Sequence, residues 1–99
     1  MEKKINVTIY NEFYHEQHKP AVKAIYPNGM HGVIADFLRS EADIGNIVTA
    51  TVENHATVLD QACLDQTDVL LWWGHVKHND VDDTVVARVC QRVYEGMGL

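Results

Sequence analysis

The fold turns on one stretch, Asp68-Val69-Leu70-Leu71-Trp72-Trp73-Gly74-His75. Val69 to Trp73 is the longest uninterrupted apolar run in the chain, bounded by an aspartate on one side and a glycine on the other. A short continuous run of this kind predicts a strand, Asp68 to Trp73, buried on both faces at the centre of a parallel sheet. Gly74 then lets the backbone turn sharply or approach a ligand closely. His75 stands at the carboxyl end of the strand. Trp72 and Trp73 point to opposite faces if the strand runs through both.

Outward from this strand the pattern is strand–helix, repeated. Lys4 to Tyr10 alternates, with Ile5, Val7 and Ile9 set against Asn6 and Thr8, which is the period of a strand. A polar segment, Asn11 to Pro20, follows it, and Pro27-Asn28-Gly29 punctuates the chain. Met30 to Arg39 carries Val33, Ile34, Phe37 and Leu38 on one helical face. Asn46 to Val52 alternates again as a second strand. Thr57 to Asp65 is a second helix with Val58, Leu59, Ala62 and Cys63 as its stripe. Asp82 to Gly96 is a third, with Val85, Val86, Val89, Cys90 and Val93 as its stripe and two aspartates at the positive end of its dipole. Gly96 and Gly98 stop that helix, and Leu99 reads as the first residue of a fourth strand. Alternating strands and helices give an α/β fold with a parallel sheet.

The 99 residues allow one domain, 1–99, with a single core. Hydrophobic residues at 46% and charged residues at 22% are ordinary globular proportions and argue against disorder. The net charge of −6 repels phosphate backbones, so nucleic acid is excluded as an expected partner. Lys3-Lys4 is too small a basic cluster for an anionic membrane, and no apolar run reaches a membrane span. Cys63 and Cys90 form no CxxC pair and lie on apolar helix stripes. They are expected to be reduced, buried thiols of a cytoplasmic protein.

Four of the six histidines form two HxxH pairs: His15 with His18 after the first strand, His75 with His78 after the third. In a flavodoxin-like sheet of order 2-1-3 these two segments flank the topological switch point, where ligands bind. His75 and His15 are therefore the candidates for acid–base work. His75, His78 and His15 are also the candidate ligands of a divalent metal such as zinc, with Glu12, Glu16 or Asp80 available to complete the set. HxxH in a loop is a weak metal signal, and the helical His-Glu-x-x-His motif of zinc hydrolases is absent. The plainer reading makes these solvated loop histidines, and it is preferred for His18 and His78. His31 lies near the start of its helix, where a polar ligand can dock. His55, after the strand expected at the sheet edge, reads as structural or solvated. Trp73, beside Gly74, is the aromatic face offered to a sugar, with core packing as the alternative.

The segments Val7-Thr8-Ile9-Tyr10-Asn11-Glu12-Phe13, Ala24-Ile25-Tyr26-Pro27-Asn28-Gly29-Met30-His31, Trp72-Trp73-Gly74-His75 and Val93-Tyr94-Glu95-Gly96-Met97-Gly98-Leu99 together resemble the ThuA-like trehalose utilisation family. The resemblance covers almost the whole chain. It implies a class I glutamine amidotransferase-like fold, a flavodoxin-like three-layer sandwich, in a bacterial cytoplasmic protein of disaccharide catabolism. By position, Asn11, Glu12, His15, His31, His75 and His78 match the family's polar segments, and with Trp73 and Gly74 from the reading above, Asn11, Glu12 and His31 are the expected sugar contacts. Members of that family are longer, with a further strand and a turn carrying Ser and His. The chain is therefore expected to correspond to their N-terminal part, ending after the third strand–helix unit. A third strand without its next neighbour would expose an apolar edge, so a homo-oligomer is expected. The alternative is a non-catalytic binding or oligomerisation module.

Overall fold

The computed structural model describes residues 3–99. Three strands, β1 (Ile5–Asn11), β2 (Ile44–Ala50) and β3 (Val69–Trp73), form an all-parallel sheet in the order β2-β1-β3. Val7 of β1 faces Ile47 and Val69, and Tyr10 faces Ala50 and Trp72. The helices are α1 (Tyr14–His18), α2 (Pro20–Ile25), α3 (Gly29–Arg39), α4 (His55–Val58), α5 (Gln61–Gln66) and α6 (Asp83–Tyr94). The α/β class and the 2-1-3 order agree with the sequence reading, and the strand and helix bounds shift by at most two residues.

The central position belongs to β1, not to the apolar run of β3. From Val7 to Asn11 β1 is buried on both faces. Its alternation marks two different interiors rather than an inside and an outside. Val7 and Ile9 pack with Ala35, Leu38 and Ile47 under α3. Tyr10 packs with Leu59, Leu64, Leu70, Val85 and Val89 under α4, α5 and α6. Leu59, Leu64 and Leu70 are fully buried, each contributing about 1.5–3 kcal/mol. Thr8 is buried too, because its hydroxyl bonds the Thr67 hydroxyl at 2.7 Å and Thr67 donates to the Cys63 carbonyl.

β3 lies at the edge, with Leu71 and Trp73 exposed on the α3 side. The two tryptophans do point to opposite faces: Trp72 stacks on Tyr10 with centroids 3.9 Å apart, inside the α6 core. Gly98 pairs with Val69 in a parallel bridge, through Gly98 N–H to Asp68 O and Leu70 N–H to Gly98 O. The backbone before Leu99 is thus already in strand pairing on the outer edge of β3.

Three further differences have local causes. The polar segment after β1 is not all irregular, since α1 and α2 form there, α2 opening on Pro20 at its first turn. The second helix is split at Leu59–Asp60, where the Asp60 carboxylate caps the Cys63 amide at 2.8 Å and starts α5 anew. Cys63 is half-buried and Cys90 is exposed, because α6 turns Val85 and Val89 to the core and leaves Val86, Cys90 and Val93 on its flank. No helix among the described residues is long and apolar enough to cross a membrane.

Candidate functional site

The site forms where β1 and β3 end. Phe13, immediately past β1, adopts φ 61°, a left-handed conformation that non-glycine residues rarely take. This bend throws the chain directly into α1, and α1 brings His15 back over the end of β3. His15 Nε2 meets His75 Nδ1 at 2.9 Å. Trp73 flanks both rings, with centroids 6.0 Å from His15 and 5.9 Å from His75. The two segments singled out by their histidines therefore do meet in space.

Donor and acceptor counting orders the protons of this pair. His15 Nδ1 is buried and has no partner among the described residues. An orphaned buried N–H is rarer than an under-used acceptor, so the counting favours His15 Nε2 as the donor and His75 Nδ1 as the acceptor. In that arrangement a neutral His75 carries its own hydrogen on Nε2.

Two buried carboxylates brace the loops. Glu12 accepts the amides of Val76 at 3.0 Å and Lys77 at 2.8 Å, tying the segment after β1 to the segment after β3. Burial pushes its carboxyl up, but the amide donors of Val76, Lys77 and His75, with His78 nearby, outweigh that and hold it below the usual carboxylate value. The sequence reading offered Glu12 as a ligand contact, whereas its oxygens are spent on backbone amides. Gly74 serves the same closure. A Cβ there would stand 3.0 Å from the His78 ring and 3.4 Å from Glu12 Oε2.

Glu16 is the second brace. Its Oε2 accepts Asn11 Nδ2 at 2.6 Å and the Met30 amide at 3.0 Å, at the start of α3. Burial raises its carboxyl, and the Met30 and Asn11 donors more than reverse this. Asn11 also reaches His31 Nδ1 at 3.1 Å. The His31 ring lies over Gly29 and meets Phe13 edge-on, with centroids 5.1 Å apart. Burial lowers its pKa, with Glu16 pulling the other way. Asn11, His31 and Trp73 line one end of a trough of about 540 Å³ that continues past Ile34 and Leu71 to Leu99.

His18 is exposed and stacks on Tyr14 at 4.0 Å, and Lys77 Nζ lies 4.8 Å from the centroid of the same ring. His78 packs against Gly74 and stays apart from the His15–His75 pair. The proposed metal set of His75, His78 and His15 is therefore not assembled. Among the described residues no group of three or more His, Cys, Asp and Glu side chains is placed to hold a metal ion. The nitrogens of His15 and His75 point at each other, not at a shared third point, so the residues present do not fit a zinc site.

His55, expected to be structural, is buried and bonded at both nitrogens, to the Val52 carbonyl at 2.6 Å and from the Asp82 amide at 2.9 Å. Sequence reading offered Glu16 only as a carboxylate to complete a metal set, not as a brace for Asn11 and Met30. Its one signal is a carboxylate on α1 four residues past Glu12, within reach of whatever helix starts beside it.

Neither the models of known protein families nor the curated proteins give a match to this chain.

Proposed function

We propose that the crevice binds a neutral sugar, with Trp73 as the aromatic platform and the His15–His75 pair as its proton-transferring couple. The carrying observation is the 2.9 Å contact between His15 and His75, made across the crevice from the segments that follow two different strands. Trp73 is 39% exposed beside that pair, and an exposed indole face next to hydrogen-bonding groups suits the apolar C–H face of a sugar ring. His75 exchanges a proton with a ligand oxygen through Nε2, and His15 adjusts the bridging proton. The segments quoted above support membership of the ThuA-like family, and with it a flavodoxin-like, amidotransferase-like sandwich and a place in trehalose or related disaccharide use.

The test is a titration of the purified chain with a panel of neutral disaccharides that includes trehalose, followed by ligand-detected NMR. Saturable binding that falls at least tenfold in Trp73→Ala and persists in His18→Ala is the expected result. A folded protein that binds no member of the panel overturns the reading.

A second reading, an oligomerisation module, is favoured by a separate observation. Apolar hollows flank the outer edge of β3 on both faces, one past Leu71 and one past Val86, and Leu99 borders both.

A further inference from the structure

We infer that Glu16 and Asn11 lock His31 as a neutral imidazole with its proton on Nε2, a fixed hydrogen-bond donor that selects a neutral acceptor oxygen and gives an anion no binding site.

The first step is the orientation of the Asn11 amide. Glu16 Oε2 already accepts the Met30 N–H at 3.0 Å, and it lies 2.6 Å from the Asn11 side chain. A carboxylate oxygen accepts and does not donate, so the nitrogen of Asn11 must face it. The same nitrogen lies 3.1 Å from His31 Nδ1. An amide NH₂ has two hydrogens and no acceptor capacity. One hydrogen goes to Glu16, the other to Nδ1, and Nδ1 must meet it with a lone pair.

The proton of a neutral His31 is therefore on Nε2. An imidazolium would set Nδ1–H against the Asn11 hydrogens. Burial of the ring disfavours the charged form as well. Nε2 has no protein partner among the described residues and is not one of the sealed polar atoms, so its hydrogen is available at the end of the trough beside Trp73. Gly29 fixes the ring's place: a Cβ there would lie 2.4 Å from His31 Cε1 and 2.6 Å from Nδ1.

The second step is charge. A helix start such as that of α3 ordinarily attracts anions. Here the Met30 amide is already taken by Glu16, whose carboxyl is held below its usual value by that bond and by Asn11. A phosphate or carboxylate at this position meets one neutral donor and an internal carboxylate. A hydroxyl or carbonyl oxygen meets the donor without that repulsion. The sugar nature of the ligand rests on the reading under Proposed function, whereas the state of His31 does not.

The test is ¹⁵N NMR of the histidine rings in the full chain at neutral pH. His31 is expected to show an unprotonated Nδ1 and a protonated Nε2. An Nδ1–H tautomer or a doubly protonated ring overturns the inference. Asn11→Asp replaces the amide donor by an acceptor and is expected to protonate Nδ1. A ring unchanged in that variant also overturns it. Inorganic phosphate titrated into the wild type is expected to leave the His31 resonances in place, and a saturable shift overturns the exclusion of anions. A neutral Nε2–H ring with no disaccharide binding would remove the sugar reading and leave this inference standing.

Discussion

Removing the Glu12 carboxylate should cost more than its position in a loop suggests. Its two backbone bonds, to Val76 and Lys77, span 64 and 65 residues of chain. Bonds to a charged acceptor contribute roughly 1.5–3 kcal/mol each, so Glu12→Ala is expected to lose about 3–5 kcal/mol once partial solvation of the freed amides is allowed for. Glu12→Gln keeps one acceptor and turns an NH₂ toward the other amide, with an expected loss of about 1.5–3 kcal/mol. Urea unfolding followed by circular dichroism measures both. The pH dependence fixes the cause. The folded-state pKa of Glu12 lies below the unfolded value of about 4.3. Its contribution is complete above the unfolded value and fades as pH falls through the folded one. The gap between wild type and Glu12→Ala should therefore be constant at neutral pH and shrink on acidification below about pH 4. A Glu12→Ala loss under about 0.5 kcal/mol, which is ordinary for a surface substitution, would refute the bracing argument.

Other substitutions probe the rest of the frame. Gly29 has φ +81° and no room for a Cβ against the His31 ring, so Gly29→Ala should destabilise by about 1–3 kcal/mol and displace the His31 NMR signals; a neutral variant with unmoved signals would contradict this. His55→Ala strands the Asp82 amide at the start of α6 and the Val52 carbonyl, with an expected cost of about 1–3 kcal/mol in urea unfolding. The exposed apolar surface of Leu71, Ile34 and Leu99 beside the β3 edge should drive self-association that Leu71→Lys weakens. A clean wild-type monomer in light scattering at high concentration would count against it.

Periodicity and the apolar run made the strands and the main helices legible, because each rests on a repeating contact with one layer, whereas the order 2-1-3 followed from taking the alternating strands and helices as a flavodoxin-like sheet. The depth of β3 was misjudged for a physical reason. A continuous apolar run records that both faces meet apolar surface, and it does not say which strand is flanked on both edges. That position went to β1, whose Asn6 and Thr8 look like an outer face until Thr67 is found opposite Thr8. The short helices α1 and α2 have five and six residues, too few to show a helical stripe. At the site, topology put the segments of His15 and His75 on either side of one crevice, but their direct contact was not legible, because it depends on the left-handed bend at Phe13 and on the short helix α1. Nor were the roles of Glu12 and Glu16, since spacing within a loop cannot tell which distant amides a carboxylate will find.

The two carboxylates divide the site into separately braced halves, and that division is itself testable. Glu12 joins the segment after β1 to the one after β3, which carries His75. Glu16 joins α1 to Asn11 and the start of α3, which carries His31. Contact energies within one network are coupled, whereas those of sites without shared partners add. Glu12→Gln should therefore shift the His75 ring signals while leaving the His31 tautomer intact. Glu16→Gln frees the Asn11 amide to rotate, so it should release the His31 tautomer into a mixture. His15 stands on α1 between the two braces and should respond to both. If Glu12→Gln disturbs His31 as much as His75, the crevice is a single network, and the loops cannot position the proton-transferring pair independently of the fixed donor.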